Sequence, residues 1–151
     1  MGLAMAQQLL RPGHALVCIS RHRNPDLASL ATRAGATLEQ WEQDLAQGEQ
    51  AAHRLQSWLS AHDPQTFASA TLINNAGVIP RIAPLSASDP GDLAHALRVG
   101  LEAPMQLTAA FLGATDTWAV PRKVLNISSG LGRRAMSSQA AYCAAKAGMD
   151  H

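Results

Sequence analysis

Short uninterrupted apolar runs alternate along the chain with segments whose apolar residues recur every three or four positions. HALVCIS (14–20) ends in the polar triplet Arg21-His22-Arg23, ATLINNAG (70–77) runs into a polar turn closed by glycine, and KVLNISS (123–129) leads into a polar loop. Runs of this length and apolarity predict strands buried on both faces, as in parallel sheets. ATLEQW (36–41) is a further strand candidate. Between them the helical period appears first at Leu3, Met5, Ala6, Leu9 and Leu10, stopped by Pro12-Gly13. It returns at Leu27, Leu30, Ala31 and Ala34, started by Asn24-Pro25-Asp26 and stopped by Gly35. A third helix is expected after Asp44-Leu45, through Ala52, Leu55, Trp58 and Leu59. Ser88-Asp89-Pro90 caps a long fourth segment through Leu93, Leu97, Leu101, Leu107 and Phe111, which Pro104 should bend. The last helix carries Tyr142 and Lys146. Strands alternating with helices in this order predict an α/β fold with a parallel sheet covered on both faces.

Composition narrows the picture. The 151 residues suit one domain, and 47% hydrophobic with 15% charged residues is a globular balance. Twelve basic and eleven acidic residues leave a formal charge of +1, so no field selects nucleic acid or a membrane surface as a partner. No apolar run reaches the roughly eighteen residues of a membrane span, and no basic leader precedes the first apolar stretch. Cys18 and Cys143 form neither a disulfide framework nor a CxxC pair, which fits a reducing, cytoplasmic setting. The six histidines show no HExxH or clustered ligand spacing, so no metal is expected. Trp41, Trp58 and Trp118 read as core or rim residues.

In open α/β sheets ligands bind beyond the carboxyl ends of the strands. That rule singles out Arg21, Asp44, Asn74-Asn75-Ala76-Gly77 and Ser128-Ser129, expected along one edge. Tyr142 and Lys146, four apart, face the same way on a helix, and a lysine beside a phenol makes it a better proton-transfer group. The pair alone is weak, because such spacing arises by chance in many helices. Cys143 points about a hundred degrees from Tyr142 and has no neighbouring histidine, so it reads as packing rather than as a nucleophile.

Taken together, NNAG ending one strand, NISS ending the next, and YCAAK with its Tyr thirteen residues beyond Ser129 resemble the short-chain dehydrogenase/reductase family. Through SSGLGRR and YCAAKAGMD the chain is most similar to its sepiapterin-reductase-like and benzil-reductase-like carbonyl reductases. The resemblance implies a Rossmann-like doubly wound parallel sheet, with residues 1–151 forming one partial NAD(P)-binding domain. It also implies NADPH-dependent reduction of a small-molecule carbonyl to an alcohol. By that resemblance Tyr142 is the general acid, Lys146 holds the nicotinamide ribose and tunes Tyr142, and Ser129 hydrogen-bonds the carbonyl oxygen. A helix-capping or turn role for Ser129 is the alternative. Asn75, Ala76 and Gly77 would lie against the cofactor, Asn74 would brace neighbouring strands, and Asp44-Leu45 would contact the adenine, although an Asp there equally suits an N-cap. Arg21 stands where an acidic residue would take the ribose 2′-hydroxyl of NAD, so NADP is preferred over NAD; the alternative is that Arg21 and Arg23 form a solvated basic turn. Homodimers or homotetramers, built on the long helix and the helix bearing YxxxK, are implied as well.

Three departures stand out. Gly100 occupies the position of an Asn that usually helps link the lysine to solvent, and glycine has no side chain to hydrogen-bond. Gly2 matches the last glycine of the pyrophosphate-binding TGxxxGxG loop, so the family's first strand, central in its sheet, is expected to be absent from this chain. The C-terminal strands are expected to be absent as well, which makes the sheet incomplete and the chain part of a longer reductase. The alternative is a truncated, catalytically inactive chain that binds no cofactor. A nucleotide-sugar epimerase could share YxxxK, but NNAG and the NISS spacing argue against it.

Overall fold

The first apolar run forms strand β1 (Ala15–Ser20), preceded by helix α1 (Gly2–Leu9) and followed by helix α2 (Pro25–Ala34) and strand β2 (Thr37–Glu42). In this computed structural model, which describes residues 1–151, internal contacts divide into two units, Met1–Leu45 and Ala46–His151. Within the first unit β1 and β2 pair in parallel from Ala15↔Thr37 to Ser20↔Glu42. A parallel pair needs a crossover, and α2 supplies it. The chain signals for α2 act as read: the Asn24 side chain accepts a hydrogen bond from the Leu27 amide at 3.1 Å, and Gly35 ends the helix at φ 64°, a left-handed conformation that glycine adopts without strain. Ala6, Leu10, Leu27 and Ala31 form the core, with Leu16, Leu30 and Leu38 packed against it.

The second unit contains helix α3 (Gly48–Ser60), strand β3 (Ala70–Asn74), helix α4 (Pro90–Leu97), helix α5 (Ala103–Ala114), strand β4 (Arg122–Asn126), helix α6 (Gly130–Arg133) and helix α7 (Ala140–Asp150). Strands β3 and β4 run parallel, from Ala70↔Arg122 to Asn74↔Asn126. Leu55 and Leu59 of α3 and Leu107 and Phe111 of α5 are buried as these two helices pack together. The ladder stops at Asn74 and Asn126, short of the apolar-to-polar runs read from sequence, so Asn75–Gly77 and Ile127–Ser129 are loops. Residues 130–133, expected as loop, instead form the short helix α6. The strands make two two-stranded parallel sheets, β1-β2 and β3-β4, so the α/β sheet is incomplete in this chain, as expected.

The long helix begins at its expected cap, where the Asp89 carboxylate accepts from the Asp92 amide at 3.0 Å. Its interruption takes the form of a π turn over Arg98–Glu102, one turn before Pro104. Proline has no N–H to offer the carbonyl four residues back, that of Gly100. The backbone there widens to five-residue bonding, with the Ala103 amide donating to the Arg98 carbonyl.

Candidate active site

Asn74 ends β3 and is 5% exposed. Its side-chain amide donates to Thr108 Oγ1 on α5 at 3.1 Å and to Asn126 Oδ1 on β4 at 2.9 Å, while its carbonyl accepts from the Ile127 amide at 2.9 Å. A buried amide satisfied on three sides is the brace read from sequence, and it fixes where the loops after β3 and β4 leave the sheet.

Lys146 is 3% exposed and sits on α7 one turn after Tyr142. Its ammonium donates to the Ile127 carbonyl at 2.7 Å and lies 5.9 Å from the centroid of the Tyr142 ring. Burial lowers the Lys146 pKa, and the Asp150 carboxylate, one turn further along, partly opposes the shift. A buried charge needs an acceptor, and the loop carbonyl after β4 provides one. Gly77 completes the arrangement. A Cβ built on it would lie 3.6 Å from Lys146 Nζ, 3.7 Å from Lys146 Cε and 3.9 Å from Tyr142 Cε2, so this loop backbone runs directly against the Tyr–Lys pair. Asn75 and Ala76, half-buried, fill the step between Asn74 and Gly77.

Ser129 is the N-cap of α6, its Oγ accepting from the Leu131 amide at 3.2 Å. The capping role is therefore real, and it leaves the hydroxyl proton free to be donated elsewhere, because a hydroxyl both donates and accepts. Sequence reading overlooked how α6 is placed. A Cβ on Gly132 would meet the Lys146 carbonyl carbon and oxygen and Asp150 Oδ2, each at 3.0 Å, so only glycine lets α6 lie this close to α7. The available signal was the second glycine of SSGLGRR. Gly100 is likewise buried in the π turn, where a Cβ would come within 3.0 Å of the Ala145 Cβ on α7. Cys143 is buried, its sulfur taking a hydrogen bond from the Met136 amide at 3.5 Å, in keeping with a packing role.

The remaining candidates belong to the first unit. Arg21 is exposed immediately after β1, and Asp44 and Leu45 follow β2, whose end lies beside that of β1, with the Gln43 amide donating to the Ser20 carbonyl at 2.9 Å. Gly2 opens α1. The structure thus gathers Gly77, Tyr142 and Lys146 in one unit and sets Arg21 and Asp44 beyond neighbouring strand ends in the other. No helix is long and apolar enough to cross a membrane.

The short chain dehydrogenase family model matches residues 1–151. Benzil reductase ((S)-benzoin forming) of Bacillus cereus is 31% identical over 150 residues, which are 99% of this chain and 60% of that protein. The chain therefore spans about 60% of the length of the curated relatives it matches. Among solved structures, a short-chain dehydrogenase/reductase from Burkholderia vietnamiensis is 37% identical with a TM-score of 0.80, the match covering 100% of this chain and 68% of that one. A metagenomic short-chain oxidoreductase in complex with NADP is 27% identical with a TM-score of 0.81, over 96% of this chain and 65% of the other. With the family pattern matched along its whole length and carried on the same fold, the chain belongs to the short-chain dehydrogenase/reductase family of oxidoreductases.

Proposed function

We propose that residues 1–151 serve, as one NAD(P)-binding domain, an NADPH-dependent reductase that converts a small-molecule carbonyl to an alcohol in the cytoplasm. The observation that carries this reading is the Gly77 backbone lying against a Tyr142–Lys146 pair whose ammonium is fixed on the Ile127 carbonyl. Because Gly77 has no side chain, no atom of its own covers Tyr142 and Lys146, which fits a planar ring and ribose approaching there. The nicotinamide, when bound, supplies the hydride.

Tyr142 Oη donates the proton that the carbonyl oxygen takes up as it gains charge, which is general acid catalysis by a positioned phenol. Ser129 Oγ donates a hydrogen bond to the same oxygen with the proton that its capping role leaves available. Lys146, held by burial and by Ile127, keeps a positive charge near the phenol and offers hydrogen bonds to the ribose. Asn75, Ala76 and Gly77 line the cofactor's path, Asp44 and Leu45 the adenine end, and Gly2 opens a helix whose first-turn amides suit a pyrophosphate. Arg21 takes the 2′-phosphate and sets the preference for NADP over NAD. Leu97, Met105 and Leu112, exposed along α4 and α5, support assembly into a homodimer or homotetramer.

Fluorescence titration with NADPH and NADH, on the wild type and on Arg21→Ala, tests the reading. Replacing Arg21 should weaken NADPH binding about tenfold or more, the scale of one charge-assisted phosphate contact, and leave NADH unchanged. Binding of neither cofactor by the wild type would overturn the proposal in favour of an inactive chain that keeps the family motifs. Benzil, the compound after which the Bacillus relatives are named, is the first carbonyl to assay.

A further inference from the structure

The turn that joins β1 to α2, Ser20 to Asn24, carries two exposed arginines and no glycine, and side chains pin it at both ends. At its start the Ser20 hydroxyl donates to the His22 carbonyl at 2.7 Å. At its end Gln40, which β2 places opposite Cys18 of β1, reaches across to the backbone of Asn24. The Asn24 amide donates to Gln40 Oε1 at 2.7 Å, and Gln40 Nε2 donates to the Asn24 carbonyl at 3.0 Å. One primary amide thus takes both backbone polar groups of a single extended residue (φ −111°, ψ 111°), as a neighbouring strand would. The side chain of the same residue caps α2. Asn24 is therefore tied to β2 by its backbone and to α2 by its side chain, and it is the fixed end of the turn that presents Arg21.

That fixation bears on binding. An arginine on a free loop must give up backbone freedom when it engages an anion, whereas on a pinned turn most of that loss has already been met by folding. Gln40 is half-buried and faces a cavity of about 320 Å³ that it shares with Arg23 and Thr32. Exchanging its side chain therefore acts on the turn and leaves the core of Ala6, Leu10 and Leu27 in place.

We infer that Gln40 is a positioning residue for cofactor choice: by clasping the Asn24 backbone it presets the turn that presents Arg21, and so sets the preference for adenosine bearing a 2′-phosphate over adenosine with a free 2′-hydroxyl. The inference rests on the reading that Arg21 takes the 2′-phosphate, and the experiment separates the two. In the isotope-labelled 151-residue chain, exchange of the Asn24 amide and the signals of residues 21–24 are followed by NMR during titration with adenosine 2′,5′-bisphosphate and with adenosine 5′-monophosphate. The wild type should bind the bisphosphate more tightly, and Arg21→Ala should abolish the difference. Gln40→Met, close in length but without the amide, should speed Asn24 exchange and weaken the bisphosphate about tenfold, while the monophosphate changes less than about twofold. Gln40→Asn, whose amide is one methylene too short for the clasp, should behave in the same way, and protection of the β1 and β2 amides reports that either variant is folded. Unchanged bisphosphate affinity in the folded Gln40 variants, with the preference lost in Arg21→Ala, overturns the inference and leaves the Arg21 reading standing. Parallel weakening of both nucleotides marks Gln40 as merely structural and overturns the inference too. Absence of any preference in the wild type overturns the Arg21 reading, and the inference with it.

Discussion

Replacing Lys146 by methionine separates what burying a charge costs from what that charge's hydrogen bond contributes. Methionine keeps the unbranched stem that fills the space beside Tyr142 and removes only the ammonium. The lost bond, 2.7 Å to the Ile127 carbonyl, is charge-assisted and belongs to a class contributing about 1.5–3 kcal/mol. Against this, the substitution removes a cation from a site where the residue is 3% exposed and burial lowers its pKa, a desolvation cost of about the same size. The two oppose, so the net change at neutral pH should be small, no more than about 1 kcal/mol either way, well below the roughly 3–5 kcal/mol lost when one member of a buried charge pair is deleted.

The pH dependence identifies the opposing part. Unfolded Lys146 keeps its proton to near its ordinary value of 10.5, whereas folded Lys146 releases it at lower pH. Between those two values the unfolded chain binds more protons, so the wild type gains stability as pH rises through that window, and the burial cost is present in full below it. The Cys18 thiol, raised above 9.0 by burial, acts in the opposite sense at high pH but is common to both proteins and cancels in their difference. Urea unfolding of wild type and Lys146→Met from pH 7 to pH 10 should therefore show a stability difference that grows in favour of the wild type. A difference independent of pH, or one that moves toward the variant, refutes the reasoning. So does a neutral-pH loss above about 3 kcal/mol, which would mean that the bond far outweighs the burial cost.

Two substitutions at glycine test the site's geometry from opposite sides. In Gly77→Ala the new methyl meets Lys146 and Tyr142 at 3.6–3.9 Å, ordinary contact, so the urea midpoint should correspond to a change of no more than about 0.5 kcal/mol while NADPH affinity falls about tenfold; parallel loss of stability and binding would show that the position is merely structural. In Gly100→Ala the methyl comes within 3.0 Å of the Ala145 Cβ, an overpacking expected to cost about 1–3 kcal/mol by thermal unfolding. Adding Ala145→Gly should recover most of it, and strict additivity of the two changes would refute the contact.

The elements were legible where local signals are strong. Asn24 caps α2 and Gly35 ends it as their chemistry requires, and the apolar run at 15–20 forms the strand it predicts, whereas its partner β2, read only as a candidate at 36–41, carries Glu39, Gln40 and Glu42 and is settled by its pairing with β1 rather than by its own pattern. The bracing role of Asn74 could be anticipated from its position at a strand end, although its partner Thr108, thirty-four residues away, could not. What escaped the sequence depends on distance in space. Gly132 and Gly100 mark close approaches of α6 and of the π turn to α7, and nothing in their own neighbourhoods announces which helix they must admit. Ser138 escaped for a related reason: serine is an ordinary loop residue, and its left-handed conformation is imposed by the Ala83 bond and by the start of α7 rather than by its own preference. The length of the last strand was misjudged because Ile and Ser continue a strand pattern locally, whereas the paired residues end at Asn74 and Asn126, with one further bond from the Ile127 amide to the Asn74 carbonyl.

The glycine at position 100 changes meaning once this packing is taken into account. By resemblance alone it stands where an asparagine side chain is expected. In the structure it is buried where the helix has opened into a π turn ahead of Pro104, with α7 so near that even one carbon would press on Ala145, the residue before Lys146. Gly132 removes the side chain at a second approach, where α6 meets the Lys146 carbonyl, and Gly148 does the same beside Leu101 at 3.1 Å. Helix α7 is thus seated among neighbours at points where side chains are absent, and that seat places the Lys146 ammonium on Ile127 and against Gly77. An asparagine at 100 would need room that only a displacement of α7 could give, and such a displacement would move Tyr142 and Lys146 together. The absence of a side chain at 100 and the close seating of helix α7 therefore go together, and placing an asparagine at 100 without also reducing Ala145 would press α7 away from its neighbours.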